Sequence, residues 1–195
     1  MLFSKMKKVN MKKSNPGLMR LKALKSFYRA FSDLTPEDRV KIKSTAAYSL
    51  RQDPDQDKTD VINRCAIAQL AEKAVADWMD GYVAGGQENH DDPYTYAWDV
   101  LAHPRFCGLR VEVKTHQSDS KWISVTTGYS GDYPGGSGIN LGPFLTHRVA
   151  DCIIILDVVE SGPSVYQFTL KFAGDHEDLK SVVRKSNYQG WYLNL

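Results

Sequence analysis

Ile62, Ala66, Ile67, Leu70, Ala74, Val75, Trp78 and Met79 recur three or four positions apart, and that period predicts a long amphipathic helix ending near Gly81. The same spacing in Leu18, Leu21, Leu24, Phe27, Tyr28 and Phe31, with Arg20, Lys22, Lys25 and Arg29 between them, predicts a helix with a cationic face. Thr35, Pro36, Glu37 and Asp38 start another helix, running to about Leu50: a capping hydroxyl, a proline suited to the first turn and two acids at the positive end of the dipole. From Tyr94 onward the pattern shortens to strand-like runs. Residues 95–101, 109–116, 121–127, 149–159 and 164–172 read as five strands, the last two a hairpin turning through Glu160, Ser161, Gly162 and Pro163. A short helix fits residues 140–148, a final helix 176–185, and residues 190–195 form a tail that packs its aromatics. The order of elements predicts an α/β sandwich, with 1–52 a basic arm with helices and 53–195 the main domain.

Charge changes that picture. Over residues 1–43 there are twelve Lys or Arg against three acids, so the net +2 of the chain conceals a basic arm beside an acidic domain. Such an arm suits a polyanionic partner, with the domain's carboxylates kept for another purpose. Lys7, Lys8, Lys12, Lys13 and Arg20 are its candidate nucleic-acid contacts. No window approaches eighteen consecutive apolar residues and the basic start leads into no apolar block, so a cytoplasmic protein with no membrane partner is expected. Cys65, Cys107 and Cys152 are odd in number, lack a CxxC pair and read as buried free thiols.

Asp99 in the first strand-like run, and Glu112 and Lys114 in the second, are acids and a cation within otherwise apolar segments. Strand residues two apart share a face about 6–7 Å apart, so Glu112 and Lys114 project together while Val111 and Val113 face the other way. If the two runs pair antiparallel around Pro104 and Gly108, Asp99 lies beside Glu112 and two carboxylates converge. Such a pair holds a divalent cation or shares a proton, and hard oxygen donors favour Mg²⁺ or Mn²⁺. With a lysine to stabilise charge on phosphoryl oxygens, this is the kit of a phosphodiesterase.

Asp99, followed thirteen positions later by Glu112, Val113 and Lys114 after a long helix carrying Glu72, resembles the PD-(D/E)XK nuclease superfamily. That resemblance implies a restriction-endonuclease-like core, a central mixed β-sheet flanked by helices, here with a basic helical N-terminal extension. It implies catalytic Asp99, Glu112 and Lys114, with Asp99, Glu112 and Glu72 as metal ligands and Mg²⁺ or Mn²⁺ as cofactor. His116 and Gln117, farther along the same strand, would face phosphate, and Arg148 near a strand end is a further candidate contact. Trp98 stands where the family pattern has proline, and helical-wheel spacing puts Glu72 on the polar side of its helix.

The expected activity is metal-dependent hydrolysis of DNA, in the style of a phage endonuclease within a bacterium or infected host cell. A non-catalytic DNA-binding protein and a junction- or RNA-directed nuclease are the alternatives. A homodimer is left open; it would suit paired cuts. His90, Asp91 and Asp92 form a weaker candidate metal loop. The glycine-rich residues 128–138 lack the Lys-Ser/Thr of a phosphate-binding loop, and their Tyr129 and Tyr133 are either stacking rings or part of a lid.

Overall fold

The computed structural model describes residues 15–84, 89 and 92–195. Its helices are α1 (Pro16–Lys22), α2 (Pro36–Gln52), α3 (Lys58–Trp78), α4 (Pro93–Tyr96), α5 (Gly142–His147) and α6 (His176–Val182). Its strands are β1 (Phe27–Ala30), β2 (Tyr82–Val83), β3 (Val100–Leu101), β4 (Arg110–His116), β5 (Ser124–Thr126), β6 (Ile139–Asn140), β7 (Cys152–Gly162), β8 (Val165–Gly174), β9 (Val183–Lys185) and β10 (Trp191–Leu193). A mixed six-stranded sheet has the order β1-β8-β7-β4-β3-β2, and a four-stranded sheet the order β6-β5-β10-β9. The expectation of an α/β fold with a central mixed sheet flanked by helices holds.

At the centre, β4 and β7 run parallel, Val111 opposite Cys152 through His116 opposite Asp157. A central parallel pair is covered on both faces, which explains the unbroken apolar run Cys152, Ile153, Ile154, Ile155 and Leu156, all buried. Strand alternation divides that run between two cores. Ile154 and Leu156 join Val111 and Val113 against Leu70, Val75 and Met79 of the α3 side. Ile153 and Ile155 face Phe144, Leu179 and the small sheet. Glu112 and Lys114 project from β4 on the face opposite its two valines.

The start signal of α2 works as read: the Thr35 hydroxyl accepts from the Asp38 N–H, and the Asp38 carboxylate accepts from the Thr35 N–H at 2.8 Å. Asp38 also ties α2 to α3, accepting from Gln69 at 3.1 Å and pairing with Lys73. Although burial opposes its charge, these donors hold its carboxyl below the usual range.

Several expectations are corrected, among them the final helix, which ends at Val182 and gives way to β9. The helix expected over residues 18–31 ends at Lys22, and Phe27–Ala30 form an edge strand antiparallel to β8. Sheet pairing overrides the helical period there, because Phe27 stacks at 5.0 Å on the fully buried Phe168. Only Val100 and Leu101 of residues 95–101 are strand; Asp92 caps the helical turn α4, its carboxylate accepting from the Tyr94 N–H. The C-terminal tail is β10, inserted between β5 and β9. Of the thiols, Cys152 alone is buried; Cys65 is half-buried and Cys107 exposed. Elements on both sides of residue 52 share the larger core, which includes Leu21, Leu24, Leu34 and Ile42. No helix among the described residues is long and apolar enough to cross a membrane.

Candidate active site

Asp99 sits just before β3 and is held from three directions. Its N–H donates to the Val111 carbonyl at 2.9 Å, its carbonyl accepts from the Ala84 N–H at 2.7 Å, and its Oδ2 accepts from the Val113 N–H at 2.7 Å. The side chain thus binds the backbone between Glu112 and Lys114, and the expected pairing of the two runs, Val100 opposite Val111, is present.

Glu112 is 2% exposed. Its Oε1 lies 2.5 Å from the Lys114 ammonium, while its buried Oε2 has no hydrogen-bond partner among the described residues. A buried carboxylate oxygen without a donor is costly, and it marks a position suited to a cation or a transferred proton. Burial, then the neighbouring charges of Glu112 and Glu72, push the Asp99 carboxyl well above its ordinary value, with Lys114 opposing them. Burial works against the Lys114 charge, yet Glu112, Asp99 and Glu72 outweigh it and raise the ammonium pKa.

Glu72 is buried within α3, and its Oε2 accepts from the Lys41 ammonium at 2.9 Å. Burial raises its carboxyl against the pull of Lys41. Lys41 also donates to the Ala84 carbonyl at 2.9 Å, bridging α2 to the segment before β3. The polar side of α3 assigned to Glu72 from its spacing is therefore enclosed by α2. Among the described residues, no three acidic, histidine or cysteine side chains are arranged to hold a metal. The donor set fits a hard cation through Asp99 and Glu112, whose unsatisfied oxygen is the observation in favour; Glu72 is engaged with Lys41.

A cleft of about 450 Å³ opens at this cluster, lined by Glu72, Asp99 and Lys114 together with Trp98 and Pro143. A neighbouring cleft of about 770 Å³ runs toward the glycine-rich loop, and Lys41, Thr45, Glu72 and Asn140 border both. The loop is a hydrogen-bonded unit: the Thr126 hydroxyl donates to the Gly135 carbonyl at 2.7 Å and the Thr127 hydroxyl to the Ser130 carbonyl at 2.7 Å. Tyr133 packs 5.1 Å from Trp191, leaving Tyr129 as the exposed ring.

The remaining candidates are dispersed. Arg20 lies 3.6 Å over the Trp78 ring and donates to its carbonyl, so it serves the packing of α1. His116 is buried with its Nδ1 2.8 Å from Asp157, whose other oxygen pairs with Lys171 at 3.3 Å. Gln117 donates to the Arg64 carbonyl and the Thr115 hydroxyl. Arg148 is exposed in a left-handed conformation after α5. Lys7, Lys8, Lys12, Lys13, His90 and Asp91 lie outside the described residues. The sequence reading missed Lys41, Tyr48 and Arg51, which line the cleft from α2. Their polar spacing on that helix was the available signal.

The profile of the family described as bacteriophage T4 endonuclease IV matches residues 11–195. The chain is 66% identical over 185 residues to a protein of Enterobacteria phage T4 named endonuclease IV, covering 95% of this chain and 100% of that one. No solved structure matches it.

Proposed function

Because the chain belongs to the bacteriophage T4 endonuclease IV family, we propose that it is a DNA endonuclease of the PD-(D/E)XK type, dependent on Mg²⁺ or Mn²⁺ and acting within an infected host cell. The observation that carries this reading is the Glu112 oxygen, buried without a donor among the described residues, on the side chain that pairs with Lys114. Bound divalent cation would polarise the scissile phosphate and acidify the attacking water. Asp99 and Glu112 would hold that cation, and their mutual repulsion supplies the demand for positive charge. Lys114, kept protonated by its neighbours, orients the water and stabilises the charge that develops on the phosphoryl oxygens. The hydrogen bond from Val113 N–H fixes the Asp99 carboxylate before substrate arrives, so little reorganisation is needed at the moment of reaction.

The test is cleavage of supercoiled plasmid and of single-stranded circular DNA in Mg²⁺ or in EDTA, beside Glu112→Ala and Lys114→Ala. Cutting that requires the metal and is lost in both variants supports the reading. Full activity in both variants removes the site, and DNA binding without cutting in any divalent metal leaves a binding protein.

A further inference from the structure

On α2, Lys41, Thr45, Tyr48 and Arg51 stand four, three and three positions apart, one polar stripe along a helix. All four border the cleft that holds Asp99 and Lys114. Ile42 and Ala46, the buried residues of α2, take a different face and fix the helix's rotation. The wall is anchored at its N-terminal end: Asp38 ties the first turn of α2 to Gln69 and Lys73, and Lys41 ties the next to Glu72 and Ala84. From Lys41 to Arg51 it runs about 15 Å at the helical rise. That matches roughly four nucleotides of one duplex strand at about 3.4 Å each.

We propose that this stripe is the wall along which the substrate's sugar-phosphate backbone lies beside the cut. Lys41 stands at the reacting end and Arg51 meets a phosphate farther along. The inference rests on the nuclease reading and names the residues that hold its substrate. Charge complementarity selects the occupant at the rim, where α2 presents the Arg51 guanidinium, with the Thr45 and Tyr48 positions between it and the acids of the cleft. Arg51 is exposed, with its guanidinium 5.7 Å from the Tyr48 ring, an arrangement that presents a planar cation to phosphate oxygens.

Lys43 supplies an internal control. It is exposed on the same helix about 80° around the axis from Arg51, and unlike Arg51 it is not among the residues that border the cleft. Binding of a short labelled DNA oligonucleotide, as single strand and as duplex, is measured in EDTA across a salt series for wild type, Arg51→Ala, Arg51→Lys and Lys43→Ala. Cleavage kinetics are measured in Mg²⁺ and Mn²⁺. Loss of one phosphate contact in Arg51→Ala lowers the slope of log affinity against log salt by about 0.7–0.9. It also raises KM while kcat is retained. Arg51→Lys restores the slope, and Lys43→Ala keeps the wild-type slope and KM. If wild type cuts while Arg51→Ala keeps the wild-type slope as Lys43→Ala does, the α2 wall is overturned and the nuclease stands. If wild type binds DNA without cutting, the nuclease fails, and the Arg51 and Lys43 slopes still decide whether α2 is the contact.

Discussion

Asp99→Asn is the most informative single change, because it keeps the local geometry and removes only a charge that the fold opposes. The asparagine carbonyl retains the 2.7 Å bond from Val113 N–H. Burial and the charges of Glu112 and Glu72 raise the Asp99 carboxyl well above its ordinary value of 3.8, so the folded chain binds a proton that the unfolded chain has already released. Stability attributable to this group is therefore greatest below pH 3.8 and falls as pH rises through the folded pKa. Each unit of separation costs about 1.4 kcal/mol at neutral pH. For a chain of this length that is about 3–6 °C in Tm per unit. Thermal melts in EDTA should show Asp99→Asn more stable than wild type at pH 7.5, with the gap closing toward pH 3.5, while cutting is lost. Mg²⁺ should raise the wild-type Tm and narrow the gap, because ligand that binds only the folded state stabilises it. A variant equal to or less stable than wild type at pH 7.5 would refute the claim that the fold works against this carboxylate.

Gly81→Ala drives a Cβ into the Leu101 carbonyl oxygen at the end of β3. The expected loss is about 1–3 kcal/mol in urea unfolding, with reduced cutting because the strand beside Asp99 must shift; an unchanged midpoint would contradict the packing. Native thiol titration at neutral pH should show rapid reaction of exposed Cys107 and none of Cys152 until denaturation, since burial pushes the Cys152 thiol up. Rapid labelling of Cys152 would count against its placement on β7. Removing residues 1–14 takes away five lysines and should flatten the salt dependence of DNA affinity by as much as about 3.5–4.5 in slope. Equal slopes would exclude the arm as a contact.

The parts of the fold legible in the sequence were those where local chemistry and tertiary packing agree. Thr35, Pro36 and Asp38 carry a complete cap, and the alternation in residues 111–114 separates two valines from Glu112 and Lys114, so α2 and the acidic face of β4 were readable. The segment from Phe27 to Ala30 was not, because its strand exists only through pairing with β8, far along the chain. Nor was the enclosure of Glu72, since a wheel drawn on α3 alone cannot show that α2 brings Lys41 against its polar side. Arg51 was invisible as a cleft residue for the same reason: which side of a polar stripe meets the site depends on how Ile42 and Ala46 seat the helix.

The pairing of Phe27 with Phe168 also governs when the molecule can become complete during synthesis. These partners are about 140 residues apart, which at about 5–20 residues per second is roughly 7–28 s of translation. β7, the parallel neighbour of the strand bearing Glu112 and Lys114, likewise emerges late. A nascent chain carries its acids and lysines for most of that time without the sheet that aligns them. For a protein whose product is broken phosphodiester bonds, topology thus delays competence until nearly the whole chain has left the ribosome.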